Sequence, residues 1–328
     1  MESAREWIKC DESAKSLMDR VSMERPSLLL PPPLHRAPLC AGNVVEIVGP
    51  SPSAKSYILL QAAINCILPK EWNGIHYGGL ERLVMYFDLD CRFDVSYLSQ
   101  SLKRRIVRAQ GPDSHSLVEQ DTHLDEVLFL ACLKRFLYIR CYNSLEFLAA
   151  LKTIRPQLQT ESEGHGIGVH FLMFDSISAY YWIDRAYKPL SSAISNRKPF
   201  SLQSITEAVV QELRQLLQFH PMLVLATKPA LLGLEFSACH ITRKQSSSPS
   251  ATGMLPLSRG AERFLYREYM PSAWQSFVSH RIHLRISDET FADAENRYLP
   301  IYITEWELPP LSYSDKFTVR DEGIFLVV

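Results

Sequence analysis

"VGPSPSAKS", residues 48–56, reads as the turn between a buried strand and a helix. Gly49, Lys55 and Ser56 keep the spacing of the phosphate-binding pattern G-x-x-x-x-G-K-[ST], with Ala54 where the second glycine belongs. A loop of this kind converges backbone N–H groups on phosphate oxygens, adds the lysine charge and aims a helix N-terminus at the anion. The flanks agree. "NVVEIVG" (43–49) is β-branched and ends in glycine, and "AKSYILLQAAINCIL" (54–68) carries helical spacing as far as Pro69. The candidate nucleotide contacts are therefore Gly49, Ser53, Ala54, Lys55, Ser56 and Tyr57, with the Ser56 hydroxyl also facing Mg²⁺. Three substitutions weigh against tight binding. Ala54 brings a methyl group and loses tolerance for positive φ, and Pro50 and Pro52 each remove an N–H donor.

Outward from the loop, apolar strand-like runs alternate with helical patterns. "RLVMYFDLD" (82–90), "RFLYIRCY" (135–142), "GVHFLMFDS" (168–176) and "MLVLAT" (222–227) read as strands. "SLEFLAALKTI" (144–154) reads as a helix capped by Ser144, and Ile205, Val209, Leu213 and Leu216 line one face of another. The alternation predicts an α/β fold with a mostly parallel central sheet flanked by helices. "AWQSFVSHRIHLRI" (273–286), "RYLPIYITEWEL" (297–308) and "GIFLVV" (323–328) predict three further strands. Residues 1–25 fit an amphipathic helix with Trp7, Ile8, Leu17, Met18 and Val21 on its apolar side. The proline-rich "PSLLLPPPLHRAPLC" (26–40) then reads as an extended linker. The chain thus divides into an N-terminal arm and linker (1–41) and a core (42–328). A loop at about 230–260 in that core is expected to be mobile, because "RKQSSSPSATG" (243–253) has little apolar surface to bury.

The 328 residues carry a net charge of -1, which lacks the basic excess of a free-standing nucleic-acid binder. Seven cysteines without a C-x-x-C pair read as reduced thiols of an intracellular protein. No apolar run is long enough to span a membrane, and the first residues lack the apolar stretch of a secretion signal. Lys103, Arg104, Arg105 and Arg108 read as a solvated helix face, while Lys228, Arg243 and Lys244 are the better candidates for DNA contact.

Asp175 ends its strand where an acid holds the Mg²⁺ shell of a P-loop protein; alone, such an aspartate is more commonly a turn cap, and the phosphate loop upstream favours the Mg²⁺ role. "FDLDCRFD" (87–94) makes the likeness specific. Strand, phosphate loop, helix and a second strand ending in paired acids resemble the core of the RecA-type recombinases. "LVLATKP" (223–229) resembles their nucleotide-sensing strand, keeping Thr227 but placing Lys228 and Pro229 at the polar pair. "CILP" (66–69), "DSISAYYWID" (175–184) and "AWQSFVSHRI" (273–282) narrow the resemblance to the eukaryotic recombinase paralogues, over residues 42 to about 290.

The resemblance implies a RecA-like P-loop core lacking the recombinases' helical N-terminal domain. It implies ATP and Mg²⁺ as cofactors, neither of them necessarily required. The carboxylate that activates water in the family falls on Asp90, one methylene shorter than the usual glutamate, and Asp88 matches the aspartate before it. It further implies a nuclear subunit of a mediator complex in homologous-recombination repair of double-strand breaks. That subunit would be heteromeric with other recombinase paralogues, the D paralogue directly, and would meet single-stranded or branched DNA through the complex. Tyr180, Tyr181 and Trp182 would be interface anchors. The alternatives are an active P-loop ATPase, a small-molecule kinase closing Arg259 and Arg263 over the phosphates, and a scaffold that binds no nucleotide.

Overall fold

The computed structural model describes residues 13–24, 26–110, 121–165, 169–186, 201–232, 266–292, 297–320 and 323–327. From the N-terminus, helix α1 (Ala14–Glu24) and a short 3-10 turn (Leu34–Arg36) lead into β1 (Val44–Gly49) and α2 (Lys55–Ile67). A small hairpin, β2 (Glu71–Trp72) with β3 (Ile75–His76), precedes β4 (Leu83–Asp88), α3 (Val95–Gln110) and α4 (Asp121–Leu133). Next come β5 (Phe136–Arg140), α5 (Ser144–His165), β6 (Val169–Asp175), α6 (Tyr181–Ala186), α7 (Leu202–Phe219) and β7 (Leu223–Pro229). The short pair β8 (Leu231–Leu232) and β9 (Tyr266–Arg267) and the turn α8 (Ser272–Gln275) follow. The remaining strands are β10 (His280–Ala292), β11 (Tyr298–Leu308), β12 (Ser314–Arg320) and β13 (Gly323–Leu326).

The main sheet has the order β13-β12-β11-β10-β1-β7-β6-β4-β5. Strands β10, β1, β7, β6, β4 and β5 run parallel, and β11 to β13 are added antiparallel at one end. The fold is thus the α/β class that the alternation predicts. Its inner strands are apolar on both sides because helices cover both faces. Ile58, Ile64, Leu102 and Leu128, on α2 to α4, pack on one face. Phe147, Leu151, Val209 and Leu213, on α5 and α7, pack on the other with Trp274. The C-terminal ends of β1, β4, β6 and β7 come out side by side, where open α/β sheets hold ligands.

Several local readings change. Leu30, Leu34 and Leu39 of the proline-rich stretch are buried in the core against α2, and the Leu28 N–H donates to the Leu39 carbonyl at 2.7 Å. Arg36 also pairs with Asp315 on β12, at 2.6 Å. That stretch is a strap packed on the sheet. Leu17 and Met18, on the apolar side of α1, are exposed. Helix α5 is capped by Asn143, whose Oδ1 accepts from the Glu146 N–H at 2.9 Å, while the Ser144 hydroxyl goes to Asp184 at 3.0 Å. Residues 273–279 do not begin a strand. Trp274 lies in α8 with its indole buried, donating to Glu46 Oε1 at 2.7 Å.

Lys228 changes most. It is buried at the end of β7, with its ammonium 3.0 Å from Glu46 and 2.7 Å from Glu268. A charge committed to two carboxylates inside the protein is not offered to DNA, so the expected DNA contact at this residue is withdrawn. Arg243, Lys244, Arg259 and Arg263 lie outside the described residues, as does most of the serine-rich loop.

The network gives a stability test. Lys228→Ala leaves Glu46 buried with one cationic partner, Arg281 at 2.6 Å, in place of two. Chemical denaturation is expected to show a loss of about 3 kcal/mol. The double change Glu46→Gln with Lys228→Met is expected to recover part of it. A single variant as stable as the parent would refute the role assigned to the network.

Candidate nucleotide site

A cleft of about 390 Å³ opens at the strand ends, lined by the loop after β1, the turn after β4 and the ends of β6 and β7. Of the expected contacts, Ser53, Lys55, Ser56, Tyr57, Asp90 and Asp175 line it. Gly49 lies beneath. A Cβ built there would come within 3.0 Å of the Leu284 Cβ and 3.1 Å of the Leu284 carbonyl oxygen, so any larger residue would push β10 back by a few tenths of an ångström.

Ala54 behaves differently from the sequence expectation. It is the N-cap of α2 with φ -74° and ψ 15°, its side chain is buried in the core, and it is absent from the cleft wall. An alanine is unstrained at that φ, so the crowding expected of its methyl group does not occur.

The Lys55 ammonium donates to the Gly49 carbonyl at 2.9 Å, the Pro50 carbonyl at 2.9 Å and the Ser53 hydroxyl at 2.8 Å. Three acceptors match its three N–H donors, so the side chain staples its own loop. Burial lowers its pKa to about 8, against the opposing pull of Asp175 and Asp90. An incoming phosphate takes over partners that the loop now supplies.

Asp175 is buried at the end of β6, between two hydroxyl donors. Tyr86 on β4 donates to Oδ2 at 2.8 Å, and Thr227 on β7 donates to Oδ1. Burial, and then the Asp175 charge, push the Tyr86 phenol well above its ordinary range, so it stays a donor. Ser56 lines the same cleft. An oxygen-only pair of this type suits a hard cation such as Mg²⁺. Among the described residues no cluster of three or more His, Cys, Asp or Glu side chains is arranged to hold a metal alone. A Mg²⁺ here would be shared between Ser56, Asp175 and the phosphates.

The acids after β4 separate by role. Asp88 accepts from the Arg92 and Phe93 N–H groups at 3.1 and 3.3 Å and from the Tyr138 hydroxyl at 2.7 Å. It fastens the turn. Asp90 lies at the cleft mouth, where the protein wall and the Asp175 and Asp88 charges raise its pKa to about 6. Tyr97 meets Tyr57 edge-on at 5.1 Å, giving the cleft an aromatic side.

Tyr86 and Tyr97 did not stand out in the sequence, since a tyrosine in an apolar strand or helix reads as core. The aromatic run after Asp175 is corrected in the other direction. Tyr180 and Tyr181 are buried, with the Tyr180 hydroxyl 2.5 Å from the Cys141 carbonyl, whereas Trp182 is 55% exposed. Of the three expected anchors, Trp182 is the one whose ring the fold leaves exposed.

The pKa shifts set a pH test. Between 3.8 and about 6 the folded protein holds a proton on Asp90 that the unfolded chain releases, so this residue's penalty grows as pH rises and is complete above 6. Lys55 acts oppositely: its penalty is full below about 8 and is relieved as pH rises toward 10.5. Asp90→Asn removes the first effect. It is expected to raise the melting temperature by about 2 °C at pH near 7.5 and to leave it unchanged below about pH 4. A gain independent of pH would show that Asp90 does not feel its neighbouring carboxylates.

No family model matches the chain. It is 46% identical over 336 aligned residues to the DNA repair protein XRCC2 homolog of Arabidopsis thaliana, covering 98% of this chain and 89% of the relative. It is 27% identical over 249 residues to the DNA repair protein XRCC2 of Mus musculus, covering 76% of this chain and 74% of the relative. With nearly the whole of this RecA-like core matched at that identity, the chain belongs to the XRCC2 family of DNA repair proteins.

Proposed function

We propose that this protein acts in the nucleus as a subunit of a recombinase-paralogue mediator complex, in homologous-recombination repair of double-strand breaks. Its nucleotide-binding core serves mainly as a structural platform, taking ATP with Mg²⁺ and hydrolysing it weakly or not at all. One observation carries this reading: the cleft keeps the parts that hold a nucleotide, while the water-activating position is the short Asp90 at its mouth. A carboxylate retracted by about an ångström costs on the order of 10²-fold in rate. The buried pairing of Lys228 also supports it, because β7 is fastened to Glu46 and Glu268 instead of ending in a polar sensing pair. The DNA contacts of such a protein come through its complex.

A specific observation favours a second reading, an active ATPase. The raised pKa of Asp90, about 6, suits a general base near neutral pH. Turnover by pure protein with single-stranded DNA separates the two.

The exposed Trp182, with Ile183 beside it, is the partner-facing anchor of this proposal. Leu28 and Leu30 of the strap pack on the chain's own core, which leaves Leu29 as its outward leucine. The partner is another recombinase paralogue, the D paralogue directly. The protein is expected to form heteromers, without extended homopolymers in light scattering when ATP is added.

Lys55→Ala is expected to weaken nucleotide binding at least tenfold, yet to leave partner co-purification and rescue of DNA-damage sensitivity largely intact. Trp182→Ala is expected to reduce partner capture at least tenfold with an unchanged circular-dichroism spectrum. A Lys55→Ala protein that folds and binds its partner but fails to rescue would overturn the platform reading.

A further inference from the structure

Asp175 is the meeting point of three strands. It ends β6, and its carboxylate is gripped by Tyr86 from β4 and Thr227 from β7. Each oxygen keeps lone-pair capacity after accepting one hydroxyl. What the two donors settle is the plane of the carboxylate, one hydroxyl fixing each oxygen. Tyr86 suits the task because its ring cannot swing. It is almost fully buried and packed between Phe93 at 4.9 Å and Phe136 at 5.7 Å, yet it borders the cleft.

The charge around it makes orientation matter. Asp90, Asp94 and Asp175 line the cleft against two cations, Lys55 and Arg92. Lys55 is already spent on its own loop. A polyphosphate entering here adds negative charge to a cleft that has no surplus of positive charge, so a divalent cation has to enter with it.

We propose that Tyr86 is a positioning residue for the carboxylate Asp175, and that through this hydrogen bond it sets how much Mg²⁺ the cleft needs to hold a nucleotide. The inference rests on the reading of the cleft as a nucleotide site. Tyr86 acts by holding Asp175, to which its hydroxyl is committed. Groups that orient a metal-binding side chain change metal affinity by about 10- to 100-fold when removed.

The test uses the full chain and a fluorescent ADP or ATP analogue, titrated across free Mg²⁺ concentrations and in excess chelator. Tyr86→Phe removes one oxygen and keeps the ring stack. Tyr138→Phe is the matched control, since that hydroxyl serves Asp88. Tyr86→Phe is expected to raise the Mg²⁺ concentration for half-maximal binding about tenfold or more. The control is expected not to move it, and binding in chelator is expected to be negligible for every protein. Tyr86→Leu, a second variant lacking the hydroxyl, is expected to show the same shift if Tyr86→Phe does not fold. An unchanged Mg²⁺ requirement, an equal shift in Tyr138→Phe, or strong binding in chelator overturns the inference while leaving the nucleotide site in place. Wild-type protein that binds no nucleotide at any Mg²⁺ concentration overturns the reading of the cleft, and the inference with it.

Discussion

Glu46 sits inside the sheet, on β1, with no exposure to solvent, and an ion there has to be matched on every side. Lys228 from β7, Arg281 from β10 and the Trp274 indole from α8 supply the match at 3.0, 2.6 and 2.7 Å. Each partner carries a segment with it. The network brings the chain that returns after β9 back onto the strands flanking β1, and Glu268 extends it by bridging Lys228 and Arg281. Its cost and its specificity come together. A buried set of charges adds little net stability over a well-packed apolar core, but breaking one member is expensive, so alternative arrangements of these strands are penalised.

The same network reaches the cleft through the alternation of β7. Successive side chains of a strand point to opposite faces. Lys228 turns toward Glu46, and its neighbour Thr227 therefore turns the other way, toward Asp175. One strand end thus fastens the charge network and the Asp175 carboxylate at once. Tyr86 completes the hold from β4, while the turn that follows β4 is capped separately by Asp88. Asp175 at the cleft is thus held from two neighbouring strands, whereas Asp90 stands at the cleft mouth with its pKa raised to about 6.

Legibility in the sequence follows the range of the interaction. The loop from Gly49 to Ser56, the strand-ending Asp175 and the order of buried strands are written in local spacing, and the α/β class followed from them. Partners far along the chain left no local trace. Lys228 looked like a free cation because Glu46 lies 182 residues away, and Tyr86 looked like core because its acceptor is 89 residues away. The strand β12 escaped because "SDKFTVR" mixes charged and apolar residues, and its buried Asp315 is compensated by Arg36 of the strap, far away in sequence. Ala54 was misjudged for another reason. The pattern says glycine, but the backbone there adopts φ -74°, which makes no such demand.

These observations bear on what a phosphate-loop motif means in this family. Lys55 satisfies its loop, Gly49 admits the close approach of β10, Asp88 caps a turn and Asp175 joins β4 to β7. Every one of these residues has a folding role that would persist if nucleotide never bound. A protein can therefore lose turnover and keep the motif, because replacing Gly49 would press on β10 and losing Asp175 would free the Tyr86 and Thr227 hydroxyls of their acceptor. Asp90 is the exception. Its backbone N–H reaches the Asp175 carbonyl whatever the side chain, and its carboxylate bonds within the turn, to the Arg92 backbone, where the resemblance to the recombinases places a glutamate. In the platform reading proposed above, folding protects the parts of the site that would bind and leaves the part that would catalyse free to change.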